Sequence, residues 1–93
     1  TALGFEETPN LYFRLSDAHI EIGQWQDAKS AAQNALNLKP GFAPALVNLG
    51  VAECYLGNGQ AALAAWEEAA QTAQWRSVAN HHVEVYNKSG ECP

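Results

Sequence analysis

The sequence predicts an all-α chain of five helices in which antiparallel helix-turn-helix repeats stack as a short α-solenoid. Three observations predict it. Between Leu46 and Ala70, small and apolar residues recur at three- and four-residue spacing on both sides of Gly57-Asn58-Gly59, so two short helices fold back on each other. Sliding the chain over itself by 34 residues places Leu15 on Leu49, Ala18 on Ala52, Gly23 on Gly57, Gln26 on Gln60, Ala28 on Ala62 and Ala35 on Ala69. Most of these identities fall at packing and turn positions, as a structural repeat requires. Finally, hydrophobic residues make up 47% of the chain and many are alanine, which suits closely packed helices.

Thr1 to Glu7 reads as a mobile lead-in, with residues 1–8 preceding the first unit. Thr8-Pro9 is a helix start, Thr as cap and Pro as a first helical residue whose missing donor costs nothing. The first helix runs to about Ile22 and stops at Gly23. Trp25 to Leu38 forms the second helix, closed by Lys39-Pro40-Gly41, and the pair makes a first unit over residues 9–40.

Phe42 is expected to tuck back as a hydrophobic hook, and Pro44 sits in the first turn of the third helix. On that helix Leu46, Leu49, Gly50, Ala52 and Glu53 share a face, whereas Asn48 and Tyr55 point elsewhere. Gly57 suits the left-handed exit, and Asn58 is expected to cap the fourth helix. Ala62, Ala65, Trp66 and Ala69 form the inward stripe of the return. The expected contact is Ala62 against Gly50, with Trp66 filling the space where the pair opens. Ser16, again small, stands over Gly50 in the first copy. The second unit covers residues 43–74. Ser77 is expected to cap a fifth helix from about Val78 to Lys88, ended by Gly90, with Trp75 pinning its start. Its stripe of Val78, Ala79, His82, Val83 and Tyr86 makes residues 77–89 a lid on the stack, and 90–93 a tail.

On these residues the chain resembles the tetratricopeptide repeat family, whose pattern is an aromatic, Leu-Gly, Tyr, then Ala, an aromatic and Pro. The second copy supplies Leu46, Leu49-Gly50, Ala62, Trp66 and Ala69; the first supplies Tyr12, Leu15-Ser16, Ala28, Ala35 and Pro40. The match spans roughly residues 9 to 74. It departs at the Tyr site, where His19 and Glu53 stand, and at Gln74, where Pro is usual.

The resemblance implies that the α-solenoid is right-handed and that the first helix of each pair lines a concave surface. That surface would carry Asn10, Phe13, Asp17, Ile20 and Glu21, then Val47, Asn48, Val51, Cys54 and Tyr55. Contiguous exposed apolar surface marks a binding site. With the acidic edge of Asp17 and Glu21 it suits an amphipathic partner segment carrying positive charge. The expected function is therefore a non-catalytic protein–protein interaction module, a scaffold or adaptor part of a larger protein. Two other readings stand beside it: self-association of the same surface as a homodimer, or a regulatory domain of a larger enzyme. A further alternative is that the fifth helix covers Val47, Val51 and Tyr55 as ordinary core. Within the family, receptors for chaperone tails hold a terminal carboxylate with Lys, Asn and Arg side chains. Here Asn48 fits, but Phe13 and Asp17 occupy the first pair and Val78 and His82 the last, so that use is excluded.

Net charge is −5 with only five Lys+Arg, which argues against nucleic acid, since phosphate binding needs clustered cations. No run approaches the ~20 apolar residues of a membrane span. No signal peptide is visible, and the absence of methionine reads as a piece of something longer. Neither the compartment nor a cofactor is indicated. His19, His81 and His82 with Glu53 and Glu84 supply ligand types but no paired zinc spacing, and no trio suggests a nucleophile with its base. Parallel third and fifth helices would put Cys54 and Cys92 at one end of the stack, where a disulfide is sterically allowed; the alternative is a half-buried Cys54 and a free tail thiol. His19 and Glu53 occupy equivalent places on neighbouring helices and are expected to approach, the carboxylate favouring protonated imidazole.

Overall fold

The computed structural model describes residues 8–92. The lead-in expected at 1–7 and the terminal Pro93 lie outside the described residues. The described residues form five α-helices and no strand: α1 (Pro9–Glu21), α2 (Trp25–Leu38), α3 (Ala43–Tyr55), α4 (Gly59–Ala69) and α5 (Arg76–Ser89). A 3-10 turn, Ala73–Trp75, leads into the last.

Local chemistry accounts for most of the boundaries. The Thr8 hydroxyl accepts the Leu11 N–H at 3.1 Å, and Pro9 opens α1. Gly23 and Gly57 adopt φ of 75° and 89° at the equivalent turns of the two hairpins, and Gly90 ends α5 at φ 71°. An L side chain in that left-handed region is strained, so these three exits need glycine. Two expected caps differ. Asn58 makes no cap bond to α4; its side-chain amide donates to Glu53 Oε1 at 3.1 Å, a contact that ties the side chain back to α3. Ser77 lies inside α5, whose N-cap position is Trp75, because the 3-10 turn leads directly into the helix two residues early.

The helices pair in chain order, α1 with α2 and α3 with α4, while α2 also packs on α3 and α5 on α4. The Cα extents are 47 × 28 × 17 Å. With helices ~10 Å across, the shortest extent fits two layers and the longest fits side-by-side stacking, so this is a helical-repeat bundle.

The repeat register is visible in burial. Ala28 and Ala62, then Ala35 and Ala69, are all fully buried, and Ser16 and Gly50 are both inside. The two copies differ at one register position: Ala52 is buried whereas its counterpart Ala18 is exposed.

The centre of the second hairpin is not the Ala62–Gly50 contact expected from the pattern. A Cβ at Gly50 would lie 2.7 Å from Trp66 Cε2 and closer still to Nε1, so glycine is there to admit the indole. Trp66 is 0% exposed, and its Nε1 donates to the Val47 carbonyl at 3.2 Å. Across from Gly50 the ring meets α5, with His82 at 5.5 Å and Tyr86 at 6.2 Å, both edge-on. Trp66 therefore ties α3, α4 and α5 together. A second close approach, Gly59 against Tyr86, holds the start of α4 to α5.

Candidate functional site

The ten residues expected to line the concave surface divide into two groups. From α1, Asn10, Asp17 and Glu21 are exposed, and Phe13 and Ile20 are half-buried. Phe13 meets Phe42 edge-on at 6.3 Å, so Phe42 does fold back as a hook, with Lys39 Nζ 5.2 Å above its ring. Ile20 packs against the cluster of Val51, Cys54, Ala62 and Trp66.

From α3, by contrast, Val47, Asn48, Val51 and Cys54 are buried. Val47 belongs to a cluster that includes Ala79 of α5, and Val51 packs beneath Val83 and Tyr86. Cys54 is joined to Cys92 by a disulfide with Cα atoms 5.8 Å apart, which draws the tail onto the same cluster. The alternative in which the fifth helix makes Val47 and Val51 ordinary core is the one observed. Tyr55 alone of the five stays open, 44% exposed, its ring stacked on Trp25 at 4.0 Å.

Asn48 is a clamp between helices. Its Nδ2 donates to Ser16 Oγ at 2.8 Å and to Asp17 Oδ1 at 2.7 Å, while the Ser16 hydroxyl donates to the Phe13 carbonyl at 2.6 Å. Buried polar groups need such partners, and these bonds hold α3 to α1. Ser16 was visible in the sequence only as a small residue over Gly50. Its hydroxyl, facing an amide 32 residues further on, was the missing half of the signal.

His19 and Glu53 do not pair. His19 Nδ1 donates to Gln24 Oε1 at 2.8 Å, and Glu53 bonds Lys29 Nζ at 3.1 Å besides the Asn58 amide. Lys29 on α2 reaches across to α3 and takes the carboxylate, because α2 packs directly on α3. On α5, burial pushes the His82 imidazole below its ordinary value; its bond to the Val78 carbonyl, 2.9 Å away, opposes this, and nearby His81 adds to it. Glu84 is held low, and Lys88 high, by their mutual surface bond at 2.8 Å.

Two further surfaces emerge. An open cleft of about 420 Å³ lies between α2, α3 and α4, lined by Leu36, Leu46, Leu49 and Ala61 with Glu53 and Glu68 at its edges. Leu11, Leu15 and Ala18 of α1, continued by Ile22 at its C-cap, form an exposed apolar stripe. Among the described residues no group of three His, Cys, Asp or Glu side chains is arranged to hold a metal, and no helix is long and apolar enough to cross a membrane.

No family model, curated protein or solved structure matches the chain. The class of protein is thus defined by architecture alone: an all-α bundle of stacked helical hairpins.

Proposed function

We propose that this chain is a non-catalytic protein-interaction module of the tetratricopeptide type, the scaffold or adaptor part of a larger protein. It binds a peptide or helix along the half of the concave face that α5 leaves open. The observation that carries this reading is the strip on α1, where Asn10, Asp17 and Glu21 are exposed beside half-buried Phe13 and Ile20. The Tyr55–Trp25 ring stack joins the end of α3 to the start of α2. Two carboxylates beside aromatic and aliphatic surface favour a short segment with alternating apolar and basic residues.

Selection from a displayed random-peptide library tests this, followed by anisotropy measurements with an enriched peptide. Asp17→Asn keeps an acceptor oxygen for Asn48 while removing the charge, and Glu21→Gln does the same at the rim. Together they should weaken binding about tenfold, ~1.4 kcal/mol. Peptides that bind the double variant as tightly as the parent would defeat the assignment.

A further inference from the structure

We propose that two copies of this chain associate through the outer faces of their α1 helices, packed antiparallel. Leu11, Leu15, Ala18 and Ile22 follow one another at spacings of four, three and four, within about 60° of one another around the helix. That is the spacing of a two-helix seam. All four are exposed, Leu15 at 42% and Ile22 at 66%.

The internal repeat shows what this face does when covered. On α3 the equivalent positions Ala45 and Ala52 are 0% exposed, while Leu49 is half-buried and Leu56, at the end, is 36% exposed. There α2 lies across the face, held on one flank by Trp25 stacked on Tyr55 and on the other by Lys29 bonded to Glu53. On α1 the place of Ala45 is taken by Leu11, which is too bulky for another alanine-rich helix in close approach. It suits side chains that interdigitate across ~8–10 Å between helix axes.

The face is complementary to itself. With a two-fold axis between Ser16 and Asp17, Leu11 lies opposite Ile22 of the second copy, and Leu15 opposite its Ala18. Arg14 and Glu21 stand one heptad apart on the same flank of the seam. Antiparallel pairing brings like flanks together, so each Arg14 meets Glu21 of the other copy, twice by symmetry. A parallel pair would instead set Arg14 beside His19. Neither Arg14 nor Glu21 has an ion-pair partner among the described residues. The seam is ~20 Å long and buries less than the ~1,200 Å² of stable complexes, so the dimer is weak and concentration-dependent.

Sedimentation of the whole chain from about 10 μM to about 1 mM, a range that brackets weak association, tests the proposal. The weight-average mass should climb from 10.0 kDa toward twice that value. Leu15→Lys should hold it at the monomer with unchanged helicity. Arg14→Glu or Glu21→Arg alone should weaken association about tenfold, and the two together should restore it to within about threefold. A chain that stays monomeric throughout, a dimer indifferent to Leu15→Lys, or a charge swap no better than either single change would each overturn it. Leu15 lies off the acidic strip of α1, so peptide binding by the Leu15→Lys variant separates failure of this seam from failure of that strip.

Discussion

Replacing Gly50 by alanine probes the contact on which the second hairpin closes. Two effects oppose each other. Alanine favours a helix interior over glycine by ~1 kcal/mol. Against this, the new methyl would lie 2.7 Å from Trp66 Cε2, about 1 Å inside an ordinary carbon–carbon contact. The indole is fully buried between α3 and α5 and is tied to the Val47 carbonyl, so it has no free direction in which to move. Overpacking of this kind costs about 1–3 kcal/mol, and straining the indole hydrogen bond adds ~1. The net expectation is a loss of about 1–3 kcal/mol, lowering Tm by roughly 5–20 °C for a domain of this size. In a Trp66→Leu background the clash is gone, and the same Gly50→Ala change should stabilise by up to ~1 kcal/mol. Urea unfolding followed by circular dichroism on all four proteins measures the coupling. A Gly50→Ala effect that is neutral in the parent, or equal in both backgrounds, refutes the argument that glycine is there for the indole.

The Cys54–Cys92 bond closes a loop of 38 residues in sequence, worth about 4 kcal/mol in the chain-entropy treatment. Cys92→Ser should therefore lower Tm by roughly 15–30 °C, and thiol titration of the unsubstituted chain should find free thiols only after reduction; a drop of a few degrees would contradict this. Asn48→Ala removes the amide that bonds Ser16 and Asp17 and should cost ~1–2 kcal/mol, read from urea midpoints. For His82 the folded pKa lies below the ordinary 6.5, so the unfolded chain takes up the proton first as pH falls. Its contribution is complete above the unfolded value and is lost as pH falls through the folded one. An NMR titration should find the His82 midpoint below 6.5, and His82→Gln should flatten the stability profile between those values.

Much of the fold was legible because the relevant signals are local. Thr8-Pro9, Gly23, Gly57 and Gly90 each act through their own backbone, and the alanine stripes identify inward faces whatever they meet. The candidate site was less legible, and the failures share a cause. Val47, Val51 and Cys54 read as apolar and spare, but periodicity says only that a face will be covered or will bind. It does not say that α5 and Cys92 are what cover it. Asn48 failed differently, because its partners, Ser16 and Asp17, lie 32 and 31 residues away. Glu53 pairs with Lys29 of α2 and not with His19, because α2 packs on α3 and the 34-residue register relates α1 to α3 only.

The sequence by itself determined that the chain is helical, where the first four helices lie and which alanine stripes turn inward, since each depends on neighbours within a few positions, and self-comparison showed that the chain repeats. Only the tertiary structure decided that Gly50 receives Trp66, that Asn48 clamps α1, and that the disulfide and α5 occupy half of the expected trough. Those outcomes turn on how rigid helices are set against one another, and a shift of one helix by a few ångströms exchanges one partner for another without altering any local pattern.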